Sequence, residues 1–124
     1  MMTHIGFYLS GVIAAGTIFI GCRFLLAPST AAAAYGVSAV AEPHSRAYLF
    51  AKGIRDIASG LFIAVLIAYG SAHALGWLML IATVIPIADA VNVLHEGGSR
   101  TIAFRVHGGT AVAMLIISGL LLIG

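Results

Sequence analysis

Four long apolar runs dominate this chain, at residues 5–26, 47–69, 72–94 and 101–123. Each holds roughly 22 residues, and a helix of that length crosses a hydrocarbon layer about 30 Å thick. The runs are continuous and lack the period-two alternation of barrel strands, so a helix is the structure that satisfies their backbone in lipid. The pattern predicts an all-α integral membrane four-helix bundle that forms a single domain over residues 1–124.

The composition argues against a soluble protein. Hydrophobic residues make up 61% of the chain and charged residues only 8%, whereas soluble domains are about 25% charged. The net charge of +2 is too small to indicate a nucleic-acid partner, and the single cysteine does not identify the compartment. No basic residue precedes the first run, and Arg23 interrupts its end, so we expect an uncleaved transmembrane helix there and no signal peptide.

The connections between the runs differ in length. The first, residues 27–46, begins with Pro28, which ends the preceding helix because proline cannot continue it. Ser29 can cap a short Ala-rich helix that Gly36 ends, and we expect this helix to lie at the membrane interface. The other two connections, at residues 70–71 and 95–100, are short.

The charged side chains all lie toward one side of the predicted membrane. None of the six basic and four acidic residues is near the second connection or either terminus. Basic residues stay cytoplasmic, so we expect connections one and three in the cytoplasm and both termini in the periplasm or exterior. In a bacterium this describes an inner-membrane protein.

The second run carries charges inside its apolar sequence. Lys52, Arg55 and Asp56 are spaced i, i+3 and i+4, which places them on one helix face. A charge at the centre of a membrane helix costs about 2.5–3.5 kcal/mol, and an aspartate is too short to reach the interface from there. We expect Asp56 to face protein or a water-filled cavity, with Lys52 able to pair with it.

The third and fourth runs add polar groups at a similar depth. The third contains Asp89 and Asn92, and Pro86 should kink it by freeing the carbonyl of Ala82. The fourth contains His107, followed by two glycines that leave open space.

Buried ions need partners, so we expect a cluster of Arg55, Asp56, Asp89 and His107 in the bundle interior. Arg55 could clamp one carboxylate, and the other carboxylate could exchange a proton with His107. The hypothetical catalytic residues are Asp56, Asp89 and His107, and the hypothetical substrate-binding residues are Arg55, Lys52 and Asn92. A network of this composition can equally serve only to lock helix register.

Other polar and aromatic residues carry less information. No metal-ligand spacing is diagnostic among Asp89, His95, Glu96 and His107, so we expect no metal and no other cofactor. Aromatic residues near the ends of the runs are typical of membrane-interface anchors. These anchors are Tyr8, Tyr35, Tyr48, Tyr69 and Trp77.

Small residues form stripes that allow close helix contact. One stripe on the first helix comprises Ser10, Ala14, Thr17 and Gly21. Such faces pack helices inside a bundle or join protomers of a homo-oligomer, and internal packing is the interpretation we favour.

Four segments of the chain are distinctive. They are Arg23-Phe24-Leu25-Leu26-Ala27-Pro28, Lys52-Gly53-Ile54-Arg55-Asp56, Ile85-Pro86-Ile87-Ala88-Asp89 and His107-Gly108-Gly109-Thr110-Ala111. They resemble the small four-helix membrane proteins of domain of unknown function family 4267, with a more distant likeness to DoxX-like four-helix proteins. The resemblance covers nearly the whole chain and implies a fold and a membrane location, but no established activity.

Three functions are compatible with these features. The first is an accessory or scaffold protein, or a homo-oligomer, within a larger membrane complex. The second is a membrane enzyme that uses acid–base chemistry on a lipophilic small molecule of the quinone or isoprenoid type. The third is a small proton-coupled transporter. A cavity open to the bilayer would favour the enzyme, whereas a polar path to the side that bears His4 and His73 would favour transport.

Overall fold

The computed structural model describes the backbone of residues 1–37 and 43–124, and the side chains of residues 1–37 and 47–124. Within these ranges it is all-helical, as predicted. The helices are α1 (Met2–Leu26), α2 (Pro28–Tyr35), α3 (Pro43–Tyr69), α4 (Ala72–Ala82), α5 (Val84–His95), α6 (Arg100–Ile102) and α7 (Gly109–Ile123), with a π-helical segment at Ala103–Gly108 between the last two.

Three helical stretches are long and apolar enough to cross a membrane. They are Met2–Leu26, Ala72–His95 and Arg100–Ile123, judged by length and composition among the described residues. Helix α3 is longer, at 27 residues, but Lys52, Arg55 and Asp56 interrupt its apolar sequence. The three stretches confirm the prediction of a membrane protein.

Two of the long helical stretches, Ala72–His95 and Arg100–Ile123, are not continuous α-helix. Helices α4 and α5 meet at Thr83, which keeps a right-handed helical conformation, and Pro86 has no amide hydrogen to donate to Ala82. The predicted kink stays a prediction. The π-helical segment Ala103–Gly108, which contains His107, was not predicted. Wide turns of this kind occur frequently at functional sites.

Helix α2 packs against the end of the molecule that holds connections one and three. It buries Ala31, Ala32 and Tyr35. Gly36 ends it in a left-handed conformation with φ 114°, as predicted, since glycine adopts this conformation without strain. The prediction that Ser29 caps it is wrong, because Pro28 takes the first helical position, where its fixed φ suits a helix start.

Close packing between α1 and α3 depends on glycines. A Cβ atom added at Gly21 would lie 2.6 Å from the carbonyl oxygen of Gly53, and one added at Gly60 would lie 2.7 Å from that of Ala14. The small-residue stripe on α1 is therefore occupied by α3, in line with internal packing. Assembly into a homo-oligomer remains a prediction.

Two buried clusters divide the interior. The first, near the termini, contains the apolar residues Ala14, Ile63, Leu75, Met79, Met114, Ile117 and Leu121. The second lies under α2 and contains Phe24, Ala31, Ala32, Tyr35, Leu49, Val93 and Ala103. The polar residues of the candidate site surround Tyr35 in this second region.

Candidate functional site

Lys52 is the centre of a buried ion-pair cluster that joins α3 to α5. Its Nζ atom lies 3.4 Å from both Oδ1 and Oδ2 of Asp56 on its own helix. The same atom lies 3.5 Å from Oδ2 of Asp89 on α5. Lys52 is 5% exposed, so this cation and its two carboxylates are largely removed from solvent.

Aromatic rings provide further contacts to the Lys52 ammonium. Nζ lies 4.7 Å from the centroid of the Tyr35 ring and 5.4 Å from that of Phe24. The two rings meet edge to face at 6.1 Å. Electron-rich ring faces stabilise a desolvated cation, so α1 and α2 help to hold a charge that belongs to α3.

Tyr35 links the ion pairs to a hydrogen-bond network. Its hydroxyl donates to Oδ1 of Asp89 at 3.0 Å and accepts from Nδ2 of Asn92 at 3.2 Å. Nδ2 of Asn92 also donates to the hydroxyl of Tyr48 at 3.4 Å. Burial raises the pKa of Tyr35 well above its ordinary value, so the phenol remains a hydrogen-bond donor at physiological pH.

His107 joins this network through the backbone of Tyr35. Its Nε2 lies 2.7 Å from the Tyr35 carbonyl oxygen, which can only accept, so Nε2 carries a proton. The imidazole packs against the Tyr35 ring with centroids 4.7 Å apart. Nδ1 has no hydrogen-bond partner among the described residues.

A cavity of about 660 Å³ opens beside the cluster. Its walls come from α1, α2, α3, α4, α5, the π-helical segment and α7, and most of the lining side chains are aliphatic or aromatic. Its charged or titratable lining residues are Arg23, Tyr35, Lys52, Asp56, Asp89 and His107. A mostly apolar cavity of this size with a few convergent polar groups is typical of small-molecule sites.

The structure brings together most of the residues that the sequence singled out. Lys52, Asp56, Asp89, Asn92 and His107 all lie around Tyr35. His107 contacts Tyr35, and the described residues show no direct hydrogen bond between it and either carboxylate.

Among the described residues, Arg55 does not form the predicted clamp on a carboxylate. Arg55 is exposed, and Lys52 makes the ion pairs seen among the described residues. Lys52 and Asp56 are four residues apart and nearly aligned, whereas Arg55 is rotated about 100° from Asp56.

Tyr35 is a member of the candidate site that sequence reasoning missed. It was predicted to be an interface anchor, but it is only 7% exposed. The prediction of an interface anchor assumed that an aromatic residue outside the apolar runs faces the membrane surface. Helix α2 instead folds back over the bundle and buries Tyr35. One signal was available: Tyr35 is the only large side chain in α2, so an α2 that packs against the protein must bury it.

The structure gives no support to a metal centre in the part of the chain that it describes. No three His, Cys, Asp or Glu side chains within the described ranges converge closely enough to hold an ion. The potential ligands Asp89, His95, Glu96 and His107 are therefore not gathered into one site.

The fold and the buried cluster together define a small all-helical membrane protein with an internal polar site. A family model described as Domain of unknown function (DUF4267) matches residues 14–121, and the chain belongs to this family. No match was found among curated proteins or among solved structures.

Proposed function

We propose that this protein binds a lipophilic small molecule within the membrane. The observation that carries the proposal is the cavity of about 660 Å³, whose walls are mostly apolar and whose lining includes Lys52, Asp56 and Asp89. A site of this kind suits an apolar molecule with one polar group. The apolar body would lie along the helices, and the polar group would lie at the cluster.

The proposal includes a membrane arrangement with four crossings. Helix α3 would cross beside α1, with which it makes the most extensive helix contact. Two of its charges, on Lys52 and Asp56, pair inside the protein, which reduces the cost of placing them in lipid. Helix α2 would lie at the cytoplasmic interface, both termini would be periplasmic, and the host membrane would be a bacterial inner membrane.

Access to the cavity would come from the lipid. Several lining residues are also exposed on the outer surface, including Phe62 on α3 and Ile81, Val84 and Ile85 on α4 and α5. These side chains are apolar, so an opening between them faces hydrocarbon and not water. A ligand that partitions into the bilayer could therefore enter sideways.

The other end of the cavity argues against a transport pathway. Ile63 and Met114 line the cavity and also belong to the apolar cluster near the termini. Behind them, Leu75 and Met79 are completely buried. This packing supports a binding site over the polar path toward His4 and His73 that transport would require.

Retention of a bound molecule tests the proposal. Native mass spectrometry of the protein released from lipid nanodiscs should detect a small-molecule adduct on the wild type. Ala82→Phe should abolish it, because Ala82 lines the cavity and the larger ring fills the space. The matched control Ala64→Phe, on the exposed surface of α3, should retain it. No adduct on the wild type, or equal retention by both variants, would contradict the proposal.

A second candidate is an enzyme that performs acid–base chemistry on the bound molecule. The observation that favours it is Nδ1 of His107, an unpartnered base on a residue that lines the cavity. His107→Gln can keep a donor to the Tyr35 carbonyl while it removes the base. In a host that lacks the gene, the enzyme hypothesis predicts normal protein level and a lost phenotype, whereas a scaffold would still complement.

A further inference from the structure

The serine and threonine hydroxyl groups that line the cavity already donate hydrogen bonds to backbone carbonyl oxygens. Thr17 donates to the carbonyl oxygen of Ala14 at 3.1 Å. Ser59 donates to that of Arg55 at 2.8 Å, and Thr110 to that of Val106 at 2.7 Å. Each hydroxyl therefore offers the cavity only the lone pairs of its oxygen.

The stronger donors are occupied in the same way. Lys52 donates to the two carboxylates, Tyr35 donates to Asp89, and Nε2 of His107 donates to the Tyr35 carbonyl. These three residues supply the charged and aromatic donors at the polar end of the cavity, and each is already paired within the protein.

Acceptors, in contrast, remain open. Among the described residues Asp56 accepts only from Lys52, at 3.4 Å, although a carboxylate can accept about four hydrogen bonds. Asp89 has Tyr35 as an additional donor, but Asp56 has no such second partner. Within the part of the chain that the structure describes, Nδ1 of His107 also has no hydrogen-bond partner. The ion-pair cluster of Lys52, Asp56 and Asp89 carries one formal positive and two formal negative charges.

Arg23 is the exception among the lining residues, since its guanidinium has several donors. It stands in the last turn of α1 and lies 5.9 Å from the centroid of the Phe19 ring. Within the described residues it is not within ion-pair distance of Asp56 or Asp89. Its positive charge therefore lines the cavity outside the ion-pair cluster.

We propose that the ligand is a lipophilic amine, whose protonated nitrogen donates hydrogen bonds to Asp56 and to Nδ1 of His107. This inference rests on the proposed binding function and adds the chemical class of the ligand. A carboxylate or phosphate head would meet the open acceptors of Asp56 and the net negative charge of the ion-pair cluster. A carbonyl head would find no unpaired donor group among Lys52, Tyr35 and Nε2 of His107. An ammonium head supplies both the missing hydrogens and the missing positive charge.

A series of ligands with one chain and three heads tests this inference. Dodecylamine, dodecanol and dodecanoate are titrated against the protein in nanodiscs of neutral lipid, and partition into empty nanodiscs is subtracted. Dodecylamine should bind about tenfold to a hundredfold more tightly than dodecanol, as expected for a hydrogen bond to a charged group. Dodecanoate should bind most weakly. Asp56→Asn should remove the preference for the amine, and the exposed control Arg55→Gln should keep it.

The outcomes separate the two proposals. If dodecanol or dodecanoate binds at least as tightly as dodecylamine, the amine inference fails while the binding site stands. If the preference for the amine survives Asp56→Asn, the assigned residue is wrong and the inference fails. If none of the three binds above the empty-nanodisc background, both proposals fail. The comparison of head groups on the wild type does not depend on the folding of any variant.

Discussion

At the scale of single residues, Lys52 has the most demanding position in the molecule. It is almost fully buried and serves two carboxylates on different helices. Removing one partner from a buried ionic group leaves an uncompensated charge, which costs far more than the pair contributes. Arg55, three residues later on the same helix, is exposed and has no such role.

Lys52→Met should therefore destabilise the protein by about 3–5 kcal/mol, because Asp56 and Asp89 would remain buried without their cation. Arg55→Met should cost less than about 1 kcal/mol, as is usual for exposed charges. Unfolding of both variants in mixed micelles, followed by circular dichroism, provides the comparison. Equal losses of unfolding free energy would show that the Lys52 ion pairs contribute no more to stability than an exposed charge.

Tyr35→Phe removes a hydroxyl that donates to Asp89 and accepts from Asn92. Both partners would be left partly unsatisfied, so we expect a loss of about 1–3 kcal/mol. Tyr48→Phe is the matched control, since Tyr48 is exposed and accepts only from Asn92 among the described residues. The same unfolding assay measures both, and a larger effect at Tyr48 would contradict the central position of Tyr35.

At the scale of helices, the contact between α1 and α3 positions Lys52 and Asp56. The two backbones approach closely only because glycines face each other across the seam. The broken α4–α5 stretch and the π-helical segment then present Asp89 and His107 to the same region. The site therefore depends on irregular helices as well as on its side chains.

Gly21→Ala should destabilise the protein by about 1–3 kcal/mol. The new Cβ would lie 2.6 Å from the Gly53 carbonyl oxygen and 2.9 Å from the Ile57 amide nitrogen, and backbone atoms cannot move aside cheaply. Gly11→Ala on the same helix has nothing within 4 Å and should be neutral or gain up to about 1 kcal/mol. Thermal unfolding of the pair in one detergent tests this, and similar melting temperatures would refute the close-packed seam.

At the scale of the whole molecule, the charged side chains that the structure describes lie toward one end of the chain's long helices. The bound ligand, the cluster and α2 would occupy that end, while the apolar cluster near the termini fills the other. The proposed orientation places the polar end at the cytoplasmic side.

Cysteine labelling tests this orientation. On a Cys22→Ser background, Glu96→Cys should react with a membrane-impermeant maleimide only after the inner membrane is opened. His73→Cys should react in intact spheroplasts. Both positions are exposed, so access to each depends on the side of the membrane. The reverse pattern would invert the proposed topology, and labelling of both in intact spheroplasts would rule out an odd number of crossings between them.

Sequence alone determined the helices and most members of the site. The described helix ends follow apolar length and proline and glycine positions, which act locally. Lys52, Asp56, Asp89, Asn92 and His107 were identified because polar groups inside apolar helices must find partners. Tertiary structure decided which partners they find: Lys52 pairs where Arg55 was expected, Tyr35 is buried, and a cavity remains beside them. These outcomes depend on helix rotation and on how α2 folds back, which are set by contacts between residues far apart in the chain.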